Sequence, residues 1–592
     1  MKTNRRPWQK FCAMSLTAVI SCFCLRAGAH DYFVTSLADN LAGDTLRDAV
    51  SAAELHPDMV CHIYFNIPAV LLPGVITLNP ANGVAGENGQ MDINNHVMVM
   101  GNPVIKTLNI HGLGATNLTI LNPGGRIFYV TGGTTVISNL TFTGTFTGAN
   151  GANGTLNSIH GADGSEGMGG AIWQRNSGTE LYFYNCSFQS CSAKGGKGGN
   201  AFVPIATGFP ANGGAGGAAL GGAVCNGGPQ FIPAGDLFLF NCTFSGNSAL
   251  GGKGGTGYRT GSGGTGGSVL GGALADNYSG MDIVIVNCTF AGNIANGGNG
   301  GTGGAAQGDM TGGPGGNGGN SSGGGIYVLH GCDNCTGTIH TTVSQNMSVN
   351  GIGGAGGAGP MVGTPGTDGT AYGGGVFFAG MGDVGDTFPI NNTIVANNLT
   401  QPTTVIGNGE DVKGNFASGG YNLIGNTEAS SGWKTPANNP PDLTGVPTAV
   451  LDAKLGPLQN NGGQLLTMAP LSCSPAIDFG TTGGFSSDEI GQTRPKIITS
   501  SPAAGRGSDI GAYELLSYPT NGTTVLNIVK NTTGGTVLVS WPAASCLVLQ
   551  QTADLAHPMW VNTTNAVVVN NGFNQVFITH DQSALFFSLN RP

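Results

Sequence analysis

The sequence predicts an all-β fold: a right-handed parallel β-helix with Gly-rich lateral insertions, followed by a small C-terminal β-sandwich-like domain. Three observations carry that prediction. A short phrase recurs five times at intervals of 50 to 52 residues, as Gly169-Gly170-Ala171-Ile172, Gly221-Gly222-Ala223-Val224, Gly271-Gly272-Ala273-Leu274, Gly323-Gly324-Gly325-Ile326 and Gly373-Gly374-Gly375-Val376. A second phrase follows it, as Asn185-Cys186-Ser187-Phe188, Asn241-Cys242-Thr243-Phe244 and Asn287-Cys288-Thr289-Phe290. A fixed period of this size marks a repeat architecture whose units bury their apolar faces only against their neighbours. Third, the 592 residues include Gly 107 and only 9% charged residues, so the surface must be solvated by amides, hydroxyls and backbone.

Residues 1–29 read as a leader. Lys2, Arg5, Arg6 and Lys10 precede an apolar stretch at 11–25, and Ala27-Gly28-Ala29 supplies an A-x-A cleavage site near Ala29. The mature chain is then expected to begin near His30. Val19-Ile20-Ser21-Cys22 also has the shape of a bacterial lipobox, with Cys22 as the lipidated residue. Both readings export the protein to a secreted or outer-surface location. No later segment is apolar for long enough to span a bilayer. The net charge of −10 and the lack of a basic stripe argue against a nucleic-acid partner.

Residues 30–133 are expected to form an N-terminal cap and the first coils. Leu46, Ala49, Val50 and Ala53 share one face of a predicted helix over 45–54, and Asp44 is placed to cap it. Such a helix covers the open end of a solenoid core. Short β-rich runs follow at 75–78, 108–110, 118–121 and 127–130.

Residues 134–400 are the repeat proper. Before each Asn phrase runs a strand-like segment, such as Leu237-Phe238-Leu239-Phe240, and after it Phe244-x-x-Asn247 or Phe290-x-x-Asn293 closes a turn. Asn139-Leu140-Thr141-Phe142 is an early copy of the Asn phrase and Asn391-Asn392-Thr393-Ile394 a late one. About half of each period is then one coil. The other half, such as 251–267 and 296–319, is too rich in Gly, Asn, Thr and Ala to bury a core of its own. These runs read as excursions at one corner of each coil, either stacked into a continuous side wall or disordered. Residues 401–516 decay into final coils and a cap, and 523–592 alternate like a small antiparallel sandwich, with strand-like runs at 537–541, 547–550, 566–569, 576–579 and 585–589.

Together the Gly-Gly-Ala and Phe-x-x-Asn phrases resemble the repeats of polymorphic outer-membrane proteins, which build β-helical passenger domains. Asp44-Thr45-Leu46-Arg47-Asp48-Ala49-Val50 resembles the N-terminal segment of choice-of-anchor β-helix proteins. Ser474-Pro475-Ala476-Ile477-Asp478, Asp488-x-x-Gly491-x-x-Arg494-Pro495 and Asp509-Ile510-Gly511-Ala512-Tyr513-Glu514 resemble their C-terminal cap. The resemblance spans roughly residues 31 to 516. It implies a secreted or surface-displayed protein of a kind most of whose members have no assigned activity. No β-barrel autotransporter pattern follows the helix.

Candidate chemistry is sparse. Asn185, Asn241, Asn287 and Asn391 head sequons, but recurrence at one coil position points to an amide ladder between coils. Five residues upstream lies an acidic column of Glu180, Asp236, Asp282 and Asp386, with Cys335 in register between the last two. Stacked carboxylates repel. Backbone capping, solvent or bound Ca²⁺ would offset that repulsion, and calcium takes several oxygen ligands. Cys186, Cys242 and Cys288 share one position and read as a buried stack. Cys332-Asp333-Asn334-Cys335, near His330 and His340, reads as a tight disulfide, free thiols or a weak metal spacing. Tyr182, Phe183, Tyr184, Phe238 and Phe240 form an aromatic column that strand alternation splits between core and surface. Between 181 and 389 the only bases are Lys194, Lys197, Lys253 and Arg259, all in excursions. The favoured reading is a non-catalytic adhesion, coat or carbohydrate-contact role toward surface glycans or cell-envelope components. The alternative is a polysaccharide lyase or glycoside hydrolase of the pectin-lyase-like fold.

Overall fold

Backbone hydrogen bonding between successive coils organises this molecule. The computed structural model describes residues 29–590 apart from 84–87, 100–101, 203–208, 229–231, 278–281, 307–309, 332–336, 381–385, 403–407, 436, 438–439, 499–506, 518–525, 531–535, 543–546, 571–572 and 580–584. Residues 1–28 of the leader, with Cys22, the Cys332/Cys335 pair and all but the first residue of the domain boundary expected at 517–523 lie outside the described residues. Among the described residues, no helix is long and apolar enough to cross a membrane.

The chain is a parallel β-helix. One coil runs through Gly167–Met168, Ile172–Gln174, Glu180–Tyr184, Ser187–Gln189 and Ser192–Lys194. The next repeats it as Ala219–Leu220, Val224–Gly227, Asp236–Phe240, Thr243–Ser245 and Ser248–Leu250. Each strand pairs in parallel with its counterpart one coil on. The Gly-Gly-Ala phrase is the corner between the first two strands. Gly169, Gly221, Gly271, Gly323 and Gly373 all have φ between 55° and 72°, the left-handed region that favours glycine. A Cβ on the second glycine of the phrase would strike the next coil, as at Gly170, where Gly222 O would lie 2.2 Å away. The alanine that follows is fully buried. The repeat phrase is therefore a steric requirement of stacking.

Inside, like stacks on like. Phe188, Phe244 and Phe290 are parallel at 4.5 Å centroid spacing, and Cys186, Cys242 and Cys288 are buried free thiols. Two asparagine columns mark the bends. Asn139, Asn185, Asn241 and Asn287 have φ between 50° and 57° and are joined side chain to side chain, as in Asn241 Nδ2 to Asn185 Oδ1 at 3.1 Å. Register carries this column through His340 to Asn392, whose φ values are also positive. The expected member Asn391 is instead the last residue of the strand Phe388–Asn391, because Ile394 pairs with Thr342 rather than with Val343. The second column, Asn247, Asn293, Asn346 and Asn398, is buried and caps backbone directly. Asn247 N donates to Asn293 Oδ1, Asn293 N to Asn346 Oδ1, Asn346 N to Asn398 Oδ1, and Asn398 N to Asp411 Oδ1.

The N-terminal helix spans Leu46–Leu55 and packs Leu46, Ala49, Val50 and Ala53 onto the first coils. Its cap is Thr45, in a reciprocal box with Asp48, rather than the expected Asp44. At the other end Val412–Gly420, Leu423–Ile424 and Leu443–Thr444 continue the coils, and Trp433 stacks on Phe416 at 4.9 Å against the core.

Residues 455–515, expected to close the end, instead run back along the flank. Thr243 Oγ1 donates to Leu466 O, Asn287 Nδ2 to Ser487 O, and Ala512 N to Thr342 Oγ1. Glu489 accepts from the hydroxyls of Thr243 and Thr289. This strap buries a threonine row that would otherwise face water. The phrases 474–478, 488–495 and 509–514 converge on one buried charge network. Arg494 pairs with Glu514 at 3.3 Å, donates to Gly511 O and contacts His340 Nδ1. Asp488 accepts from the backbone of Gln492 and Glu514, and Asp509 from that of Asp478 and Leu515. Cys473 in the strap is disulfide-bonded. Past residue 525, a four-stranded and a three-stranded antiparallel sheet enclose Val539, Trp541, Leu549, Val576 and Ile578.

Burial pushes the Asp509 carboxyl up to about 7 and that of Glu514 up to about 8, and raises Glu489 and Asp488 as well. An acid with a raised folded-state pKa stabilises the fold most below its unfolded value, about 4, and loses that contribution as pH rises through the folded value. The melting temperature should therefore fall between about pH 5 and 8, and Glu514→Gln should flatten that slope. Asn293→Ala strips Asn247 of its buried acceptor and should cost about 1–3 kcal/mol in denaturant unfolding.

Candidate contact surface

Glu180, Asp236 and Asp282 stand at one strand start on successive coils, but the one-residue slip that displaces Asn391 also takes Asp386 out of this column. Glu180 and Asp236 stand in register on adjacent coils. Glu180 accepts from Thr134 and Tyr182 hydroxyls, and Asp236 Oδ1 accepts from Asp282 N at 3.0 Å. Asp282 itself is exposed. Asp386 accepts from Gly331 N at 2.9 Å and lies 3.1 Å from His330 Nδ1. No three of these four carboxylates come within 4.8 Å of one another, as a calcium site drawn from several side chains would need. Asp236 and Asp386 each accept a backbone N–H from a neighbouring coil, whereas Glu180 accepts from side-chain hydroxyls.

The aromatic column divides as strand alternation requires. Phe183 is fully buried. Tyr182 and Tyr184 face outward and half-buried, stacked on Phe238 at 4.3 Å and on Phe240 at 5.0 Å. Desolvation holds the Tyr184 phenol up at about 12. Val284 and Val286 extend this platform on the next coil.

The excursions build an extended surface, and within the described residues their arms are joined by regular hydrogen bonds. Each excursion leaves the coil as one arm and returns as another, with the three-residue period of a polyproline II helix. That conformation has no internal hydrogen bonds, so every donor must find a neighbour. In each Gly-Gly-X triplet the first two donors do. One bonds the same arm of the next coil: Gly251, Gly254 and Gly257 donate to Asn296, Asn299 and Thr302 oxygens at 2.9 Å. The other crosses to the opposing arm: Gly252 donates to Gly217 O, Gly267 to Gly252 O, and Gly298 to Gly267 O, all at 2.9 Å. The arms thus interlock as a two-layer wall. The third N–H, on X, faces out and is met by an asparagine side chain where one stands on the preceding coil. Asn150 Oδ1 accepts from Lys197 N, Asn200 Oδ1 from Thr256 N, Asn212 Oδ1 from Ser262 N, and Asn317 Oδ1 from Thr367 N.

Only X side chains reach solvent, so the chemistry of the wall can be read by column. The outgoing face carries Asn150, Lys197, Lys253, Asn299 and Ile352 in one row, and Asn153, Asn200, Thr256, Thr302 and Ala355 in the next. The returning face carries Asp163, Ala215, Thr265, Asn317 and Thr367. Neighbours along an arm are about 9 Å apart, three residues at polyproline rise. Neighbours across coils follow the strand spacing of about 4.8 Å. At the outer edge Leu156, Phe209, Met361 and Val362 are exposed. The three-residue period was visible in the sequence as Gly-Gly-X, but which glycines meet across arms was not.

No protein-family model matches this chain, and no curated protein is detectably similar to it. The functional reading therefore rests on the surface itself.

A Cβ on Gly301 would lie 1.9 Å from Gly255 O, and one on Gly264 would lie 1.8 Å from Gly214 O. Gly301→Ala should open the wall locally at a cost of about 1–3 kcal/mol. Limited proteolysis should then cut near the excursions while the coils stay protected. Thr256→Ala, outside the lattice, should leave the digestion pattern unchanged.

Proposed function

We propose that this is an exported, surface-associated scaffold that makes non-catalytic, multivalent contact with glycans of a cell envelope through its glycine-rich wall. One observation carries the reading: two extended faces display amide and hydroxyl groups on a regular grid with very few charges. Amide and hydroxyl rows match the hydrogen-bonding groups of a polysaccharide, and repetition converts weak single contacts into avidity. The leader at 1–29, whether cleaved near Ala29 or lipidated at Cys22, and the resemblance to choice-of-anchor and polymorphic outer-membrane-protein repeats agree with a surface location. A lyase or hydrolase would instead need paired acids and a base in a groove. Glu180 is already engaged by the Thr134 and Tyr182 hydroxyls and Asp236 by Asp282 N, and Lys197 and Lys253 stand on the wall.

Binding to a glycan array, run beside a reducing-end assay on plant and bacterial polysaccharides, tests this. Retention without new reducing ends is expected. An Asn200→Trp, Thr256→Trp pair on the outgoing face should weaken binding at least tenfold if that face is the contact, and Thr265→Trp, Asn317→Trp should do so if the returning face is. Release of reducing ends, or binding indifferent to both pairs, would overturn the proposal.

A further inference from the structure

We propose that His30, His56 and Asp58 form a binding site for a divalent transition-metal cation at the N-terminal end of the β-helix. Among the described residues these are the only three His, Cys, Asp or Glu side chains whose ligand atoms all lie within 4.8 Å of one another. They come from two pieces of chain, the first strand and the segment 56–58 that follows the helix. His30 is near the start of the strand Ala29–Val34, His56 is the C-cap of the Leu46–Leu55 helix, and Asp58 lies in the turn leading to the strand Val60–Phe65.

The two imidazoles are stacked with centroids 3.9 Å apart, and His56 Nδ1 lies 3.6 Å from an Asp58 carboxylate oxygen. Three donors around a tetrahedral ion with bonds of about 2.0–2.1 Å sit about 3.3 Å apart; stacked rings aim their nitrogens side by side, so one imidazole turns out of the stack when the site closes on an ion. Two neutral nitrogens and one carboxylate suit a borderline cation such as Zn²⁺ and disfavour calcium, which takes oxygen. All three residues are partly exposed, which gives the ion a path in and leaves a position for water.

The surroundings hold the ligands in place. Asp58 N donates to His56 Nδ1 at 3.2 Å; a metal taking that nitrogen replaces this bond. Tyr32 lies against both rings, 4.7 Å from His30 and 6.3 Å from His56, and its hydroxyl is anchored on Ala52 O. The buried Lys106 ammonium fixes the helix end by donating to the carbonyls of Ala53, Glu54 and His56. Its positive charge opposes a cation. The half-buried Glu54 carboxylate beside it counters that charge, as does the negative end of the helix dipole.

Titration of the full chain with Zn²⁺ by calorimetry, after removal of metal with chelator, tests the proposal. One equivalent should bind and raise the melting temperature. His56→Ala and Asp58→Asn should each weaken binding by more than the roughly 10–100-fold typical of losing an outer-shell partner. The control His160→Ala, on the wall, should bind like the parent. Co²⁺ in place of Zn²⁺ should give visible absorption bands of a four-coordinate N/O site that vanish in His56→Ala. Equal unfolding midpoints of parent and variants without metal keep misfolding apart from ligand loss. No stoichiometric binding by the parent, or undiminished binding by both variants, would overturn the site.

Discussion

The whole structure depends on one demand: every backbone donor in a coil must find an acceptor in a neighbouring coil at strand spacing. In the β-strands this is ordinary parallel pairing. At the corners it needs left-handed glycine and asparagine, and at the bends it recruits asparagine side chains as extra acceptors. In the excursions, where the chain has no internal hydrogen bonds, the same demand produces interlocked arms in which carbonyl oxygens approach within about 2 Å of where a Cβ would sit. Glycine abundance is thus a packing requirement here and not a sign of disorder. Because glycine has so much conformational freedom to lose, the lattice stands only by satisfying nearly every group it brings together.

That economy decides where side-chain chemistry can occur. Two of every three wall residues are spent on the lattice, so the third alone meets solvent, and neighbouring coils repeat it in rows. Rows of like charge would repel; rows of asparagine and threonine do not, and asparagine also caps the outward N–H. A surface with so few charges follows from the stacking. It leaves the wall suited to many weak polar contacts and poorly suited to chemistry that needs a concentrated charge.

Charge is concentrated instead where it is buried. The strap of residues 455–515 lies on the threonine row and encloses Arg494 with Glu514, Asp488 and Asp509 against His340 of the coils. An ion network of this kind, if broken at one member, leaves uncompensated buried charge, which ties the strap to the helix flank more specifically than apolar packing alone. The phrases 474–478, 488–495 and 509–514 of the strap are the parts of this one network. The His30–His56–Asp58 cluster is the exception, a partly exposed polar group in which a single backbone donor, Asp58 N, is met by a ligand atom.

The sequence by itself determined the β-helix, the Gly-Gly-Ala repeat and the Cys stack, because a residue type at a fixed offset has the same neighbours in every coil, and the terminal sandwich, because its strands alternate locally. It also exposed the acidic and asparagine columns, though it placed Asn391 where register puts Asn392, since a one-residue slip in a late, degraded repeat leaves no mark in composition. Tertiary structure alone decided the rest. Whether the Gly-rich runs were wall or fringe depended on bonds between arms distant in sequence. The strap doubles back, bringing Glu489 onto Thr243 and Thr289 and Arg494 onto His340 across separations that no period encodes. His30 met His56 and Asp58 only when a strand, a helix end and a turn were folded together, so no spacing rule could have found them.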